Sequence, residues 1–248
     1  FDLERLLLML RVTEDGARLA VAAKGLLPVE KYLQSRYHMY RQVYFHKTTT
    51  SGEAMLMALL QRASDMLTEG ACPAVVAESS FGRVLKDPAG ISVPDYLEFD
   101  DAAMVGMWKE WRRSEDEVLA DLSGRLLNRN LFKSIEIANW DEQDIDVRMR
   151  IEQAQGLLRG AGLDPRYYLL YLRSADAPYR PYNPRSDKPG GTIWIEDPDS
   201  PAGFRDVKDV SPTVRTFTES PYSIWRAFFP ERRAERLLRT KMIEILNE

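Results

Sequence analysis

The chain has 248 residues, of which 44% are hydrophobic and 29% charged, with a formal net charge of -4 at pH 7. This is ordinary globular composition, long enough for one large domain or two small ones. Net charge gives no pointer to nucleic acid or membrane, although 34 Lys and Arg residues leave room for a local basic site.

Cys72 is the single cysteine, so no internal disulfide can form, which favours a reducing compartment. No apolar run has the length of a membrane span and no basic-then-apolar leader opens the chain. A cytoplasmic address is therefore expected. The opening Phe1-Asp2-Leu3-Glu4-Arg5 lacks an initiator Met and runs directly into a helical pattern, as expected of a fragment or a cleaved product. Both histidines, His38 and His46, lie on one segment, a poor basis for a metal centre built from convergent elements.

Leu3, Leu6, Leu7 and Leu10 recur at helical spacing behind Asp2, a candidate N-cap. Arg11-Val12-Thr13, a Glu14-Asp15-Gly16 turn and Leu19-Ala20-Val21 predict a short β-hairpin. Pro28 suits the first turn of the next helix, expected from about Val29 to a kink or break in Thr48-Thr49-Thr50-Ser51-Gly52. An apolar helix with Met55, Leu56, Met57, Leu59, Leu60 and Met66 then closes at Gly70.

From Cys72 to Tyr96, Pro73, Gly82, Pro88, Gly90 and Pro94 predict loop with short elements at most. Asp100-Asp101 caps a helix bearing Met104, Val105, Met107, Trp108 and Trp111, and another covers Val118 to Leu127. After Asp141, Ile151 to Leu158 reads as helix and Tyr167 to Leu172 as a buried strand. Thr192 to Ile195 and Val207 to Val210 are further strand candidates, and Pro230 to Leu246 is a closing helix. Pro178–Gly191, rich in Pro, Asn and Gly, reads as the most mobile loop. The fold class expected is mainly α: helical through about residue 137, then a small α+β subdomain. The tryptophans are expected in core or interface, Glu115-Asp116-Glu117 as a solvated helix start, and Asp141 to Asp144 as loop or cap.

Val29 to Lys47 carries the most chemistry. At helical spacing Arg36, Tyr40, Tyr44 and Lys47 form one stripe, with His38, Gln42 and Phe45 or His46 beside it. A guanidinium offers a planar fork to phosphate oxygens, and a phenol offers a flat face to a sugar or base with a hydroxyl at its end. Spacing alone fits packing better than ligand contact, since burial is the commoner fate of aromatic stripes.

Phe1 to Arg5, then Arg11-Val12, then Arg36 through Tyr44-Phe45-His46-Lys47 resemble the region following the metal site in HD-domain deoxynucleoside triphosphate triphosphohydrolases. Arg129-Asn130-Leu131-Phe132-Lys133 is similar to a later block of that family, and Pro178-Tyr179-Arg180-Pro181-Tyr182 to a segment of its bacterial members. The likeness runs through residue 70, again from about 95 to 137, and weakly beyond.

The resemblance implies that 1–137 is a helical lobe completing an HD phosphohydrolase domain and that 138–248 is a C-terminal α+β subdomain. It implies a dNTP substrate bound by Arg36 at the phosphates and by Tyr44 at the deoxyribose, with Tyr40 and Phe45 beside them. Arg5, Lys24, His46, Lys47, Arg129 and Lys133 fall where the family holds a regulatory nucleotide, with GTP or dGTP as the activator and a homo-oligomer as the assembly. Tyr40 stands where the mammalian branch has histidine and Phe45 where it has glutamine. Ala22 and Gln42 replace regulatory arginines. The bacterial branch is the nearer match.

The family's divalent metal (Mg, Mn, Fe or Zn) sits on a His, His-Asp and Asp set that activates water for attack at the α-phosphate. No His-Asp pair occurs in this chain. The resemblance thus implies a metal held by residues outside it, on an HD segment preceding it, and an isolated chain without hydrolytic activity. A non-catalytic nucleotide-binding or oligomerisation module, and an HD enzyme acting on another phosphoester, remain open alternatives.

Overall fold

The computed structural model describes residues 2–13, 16, 18–70, 80–87, 89–137, 140–141, 143–176, 179, 191–219, 222–231 and 236–247. The protein is mainly α with a small α+β part. It divides into two compact units, each discontinuous in sequence: Phe1–His46 with Ser174–Ser223, and Lys47–Arg173 with Ile224–Glu248. Compactness thus groups the chain differently from a division by sequence order at 137/138.

In the first unit, Asp2 caps α1 (Leu3–Leu8), its carboxylate accepting from the Arg5 N–H at 3.0 Å. Leu6 packs inward, while Leu3 and Leu7 are exposed. β1 (Leu10–Val12) and β2 (Leu19–Val21) form the expected antiparallel hairpin, with Arg11 opposite Ala20. After the tight turn Ala23–Gly25 comes α2 (Leu26–Met39). A Cβ on Gly25 would lie 2.4 Å from Val21 Cγ1 and 2.8 Å from Met9 Cβ, so only glycine lets the helix start this close to the hairpin.

α2 continues into one π-helical turn, Tyr40–Tyr44, marked by the Phe45 N–H donating to Tyr40 O at 2.8 Å. The break expected at Thr48–Gly52 therefore falls earlier. Those residues are helical, because α3 (Lys47–Thr68) buries Thr50 and Ser51, and Ser51 Oγ donates to Phe132 O at 2.9 Å.

In the second unit α3 buries Ala54, Met55, Ala58, Leu59, Ala63 and Met66 along one face, a pattern of threes and fours. Short helices α4 (Ser80–Lys86) and α5 (Val93–Leu97) follow, while Cys72 and Pro88 lie outside the described residues. α6 (Asp101–Trp111), capped by Asp100, and α7 (Glu117–Leu127), capped by Asp116, bring Trp111, Leu119 and Leu122 into the core. Asp116 is not a solvated helix start. Arg62 Nη2 holds it at 2.7 Å, with both side chains 16% exposed.

Lys133–Ile137, expected to be helical, is strand β3, because alternate residues Ile135 and Ile137 point into the core. α8 (Ile145–Gly160), capped by Asp144, leads to the single turn α9 (Pro165–Tyr168) and strand β4 (Leu170–Asp176). The strand expected at Tyr167 thus starts later, since Asp164 and Pro165 initiate a helical turn first.

Residues 174–176 of β4 count with the first unit, where β5 (Trp194–Glu196) pairs parallel to β2, and β6 (Phe204–Asp206) pairs antiparallel to β5. The sheet order is β1-β2-β5-β6. Val207–Val210 is a helical turn, α10, rather than a strand, because the Asp206 carboxylate accepts from the Lys208 N–H and starts a helix. α11 (Pro212–Glu219) follows. β7 (Tyr222–Phe229) is the middle strand of the second sheet, order β3-β7-β4, with Glu136 opposite Arg226. α12 (Arg236–Asn247) closes the chain and buries Met242 and Leu246.

The first unit's core gathers Val21, Val29, Leu33, Tyr179, Ile195, Val207 and Val214. Apart from Tyr179 and Gly191, the stretch expected to be a mobile loop, 178–191, lies outside the described residues. No helix among the described residues is long and apolar enough to cross a membrane.

Candidate functional site

α2 is held by one face and offers another. Val29 and Leu33 are buried, and one turn on Tyr37 stacks on Phe217 of α11, with centroids 5.1 Å apart and planes at 20°. Ser211 Oγ donates to the Glu30 carboxylate and also accepts from the Val214 N–H, tying α2 to the start of α11. The residues beside that anchored stripe present Arg36, Tyr40 and Tyr44.

A spacing of four keeps these side chains together, and the π turn brings Phe45 beside Tyr40 as well. Arg36 lies over the Tyr40 ring, 5.1 Å from its centroid, and Arg36 Nη2 donates to Tyr40 Oη at 2.9 Å. Tyr40 contacts Tyr44 at 4.9 Å and Phe45 at 5.6 Å between ring centroids. Tyr44 is 51% exposed, whereas Arg36, Tyr40 and Phe45 are half-buried. The Asp176 carboxylate, at the end of β4, acts on the Tyr40 phenol. Burial, then this carboxylate, hold the phenol above its ordinary pKa, so it carries its proton at neutral pH.

Arg36 has donor capacity left over. Its one side-chain hydrogen bond among the described residues goes to Tyr40, and its Nε is buried without a partner. An orphaned buried donor costs about 1–3 kcal/mol. The arrangement offers a cationic fork backed by an aromatic wall, which suits an anionic ligand that also carries a flat ring or a sugar.

Arg36, Tyr40, Tyr44 and Phe45 thus lie in one cluster. Lys47, spaced to continue the stripe, instead begins α3 and belongs to the second unit. Arg5 on α1, Lys24 in the turn before α2 and His46 are exposed residues of the first unit. Arg129 and Lys133, also exposed, are in the second, where Lys133 Nζ lies 3.7 Å from Glu231. Asp176 escaped sequence reasoning. It is remote in sequence from Tyr40, and nothing in Arg173-Ser174-Ala175-Asp176 marks it as a site. Among the described residues no group of three or more His, Cys, Asp and Glu could hold a metal ion.

The stretch that carries this cluster has relatives. Residues 1–77 match the HD associated region. The uncharacterized protein YwfO of Bacillus subtilis (strain 168) is 34% identical over 188 residues, which is 76% of this chain and 41% of that protein. Among solved structures, a phosphohydrolase from Bacteroides thetaiotaomicron VPI-5482 has a TM-score of 0.62 at 22% identity, covering 92% of this chain and 55% of the other. A hypothetical protein from Aquifex aeolicus has a TM-score of 0.58 at 20% identity, covering 100% and 52%. At these identities the structural likenesses show the fold. The chain spans about half the length, or less, of these relatives. The matches support an HD-domain-associated family for this chain.

Proposed function

We propose that this chain forms one wall of the substrate site of a metal-dependent nucleotide phosphohydrolase, with a dNTP cleaved to deoxynucleoside and triphosphate. The observation that carries the reading is the Arg36 guanidinium, with an unpartnered buried Nε, laid over Tyr40 beside Tyr44 and Phe45. A solved relative of the same fold is described as a phosphohydrolase, which supports the reaction class. Arg36 meets the phosphates, and Tyr44 packs against the sugar with Tyr40 and Phe45 behind it. In this reading residues outside this chain hold the divalent cation of the reaction; among the described residues no group of three or more His, Cys, Asp and Glu could do so.

The test uses the whole protein with a divalent metal and each of the four dNTPs. Inorganic triphosphate should appear, and Arg36→Ala should lower kcat/KM by about 10- to 100-fold, the worth of a charged hydrogen bond. A folded protein that releases no triphosphate from any of the four sinks the reading. Release of phosphate from a different phosphoester would replace the substrate while keeping the phosphohydrolase class.

A second reading is favoured by one observation. Arg129 is exposed and held at φ 54°, a conformation that glycine adopts more readily. Strain kept at a cationic residue fits a regulatory nucleotide contact at Arg129 in a homo-oligomer. Sedimentation with and without GTP or dGTP tests it: nucleotide-driven assembly should be lost in Arg129→Ala while hydrolysis in the absence of activator persists.

A further inference from the structure

The two faces of the four-stranded sheet differ. Val21 and Ile195 point into the first unit's core, while Arg11, Ala20 and Trp194 form a cross-strand row on the opposite face. On that face lies a cavity of about 620 Å³, of the size that small-molecule ligands fill. Arg11, Thr13 and Arg18 line it from the hairpin, and Glu196, Phe204 and the β5–β6 loop from the other side. None of the residues assigned above to substrate or regulatory nucleotide lines it.

The hairpin brings two cations together. The Thr13 N–H donates to Arg18 O at 3.0 Å, so the strand pairing continues to that row. Arg11 stands opposite Ala20, which makes Arg18 its diagonal neighbour on the same face, at about 7–8 Å and within reach of long side chains. Among the described residues neither guanidinium has a carboxylate partner. Arg11 Nη1 donates to Leu8 O at 3.0 Å and to Leu10 O at 2.8 Å, which orders the side chain and leaves its Nη2 over. Arg18 lies over the Trp194 ring, 5.3 Å from the centroid, a stacking that leaves its in-plane N–H groups for hydrogen bonds. Two like charges this close repel, and an anion between them removes the repulsion.

Glu196 is placed apart from them. It pairs with Phe204, one row along and two strands from Arg11, on the order of 12 Å by strand spacing and rise. The loop beyond it is a preformed wall. The Asp197 N–H donates to Gly203 O at 2.8 Å, Asp197 pairs with Arg205, and Ser200 Oγ donates to Phe204 O at 3.1 Å. A cationic end and an acceptor end at that separation match a phosphate ester that carries N–H donors at its other end.

We propose that this cavity is a second ligand site, for a phosphate ester whose far end bears N–H donors: Arg11 and Arg18 take the phosphate, and Glu196 accepts from the amine or ring N–H. A nucleotide base and an amino sugar both present such donors, and each is a separate arm of the test. The site does not depend on the reading of Arg36 as a phosphate contact.

The whole protein is titrated calorimetrically with guanosine monophosphate, with glucosamine 6-phosphate and with inorganic phosphate. At least one ester should bind saturably, and about tenfold or more weakly in Arg11→Ala and in Arg18→Gln. Glu196→Gln should weaken that ester about fivefold while leaving inorganic phosphate within about twofold. Arg36→Ala should leave the ester within about twofold. Arg11, Arg18 and Glu196 are exposed, so the thermal midpoint should stay that of the parent. If Arg11→Ala fails to fold for want of its carbonyl contacts, Arg18→Gln decides alone. No saturable binding of either ester up to about 10 mM overturns the proposal, as does unchanged affinity in both arginine variants. So does a loss confined to Arg36→Ala, which would assign the ester to the α2 cluster, or an equal loss of ester and inorganic phosphate in Glu196→Gln.

Discussion

Arg129 follows α7 in the left-handed region, and the surrounding hydrogen bonds explain how it stays there. The Asn130 N–H donates to Arg125 O at 2.9 Å and the Arg129 N–H to Leu126 O at 3.2 Å. This is the paired closure of a helix end that usually places glycine where Arg129 stands. An L-residue in that conformation is disfavoured by about 1–2 kcal/mol, part of which the freer unfolded state of glycine offsets. Arg129→Gly should therefore raise stability by about 0.5–1 kcal/mol, seen as a higher urea midpoint with an unchanged slope. A lower midpoint would mean that the arginine side chain supports the fold itself.

At the scale of the element, the π turn at Tyr40–Tyr44 decides which side chains share a face. Such a turn holds one residue more than the α-helical path it replaces, and each residue of an α-helix rotates the chain by about 100°. Deleting the exposed Gln42 would let α2 run on as a regular helix with Tyr44 and Phe45 three and four places beyond Tyr40, still on its face. Far-UV circular dichroism should show helix retained, and triphosphate and dNTP binding should stay within about threefold. Loss of binding in a folded deletion variant would show that the cluster depends on the π register itself. Sequence periodicity shows the helix but not this turn. Arg36, Tyr40 and Tyr44 repeat every four residues and are equally compatible with a continuous α-helix, which would have carried the stripe on to Lys47.

At the scale of the whole molecule, the second unit carries a part-buried polar network that makes it sensitive to acid. Tyr167 Oη donates to Asp65 at 2.6 Å, and Arg62 reaches Asp116 through Nε and Nη2. The Tyr167 hydrogen bond, outweighing burial, holds the Asp65 carboxyl below its ordinary value. Burial pushes Asp116 upward, but Arg62 and the N–H groups of Leu119 and Val118 bring it below the ordinary value on balance. Both groups bind fewer protons folded than unfolded, so their stabilisation is present above the unfolded carboxylate value of about 4 and is lost as pH falls through the folded values. The urea midpoint should hold from neutral pH down to about 5 and drop below about 4. Asp116→Asn should begin lower and lose less on acidification. An equal loss in that variant would remove Asp116 from the account.

What the amino-acid sequence determines by itself is local: Asp2, Asp100 and Asp144 as helix caps, the Arg11–Val21 hairpin, the mainly helical class, and a face bearing Arg36, Tyr40 and Tyr44. Each depends on residues within a few positions of one another, where backbone geometry alone sets the spacing. Tertiary structure decided the rest. Lys133–Ile137 is a strand because β7 arrives beside it from the far end of the chain. Val207–Val210 is helical because the Asp206 carboxylate binds an amide ahead of it instead of leaving the strand to run on. Asp176 comes to act on Tyr40 from the end of β4, remote from it in sequence. Hydrogen bonds between distant segments leave no periodic trace in sequence, since the order of residues records spacing along the chain and not across space.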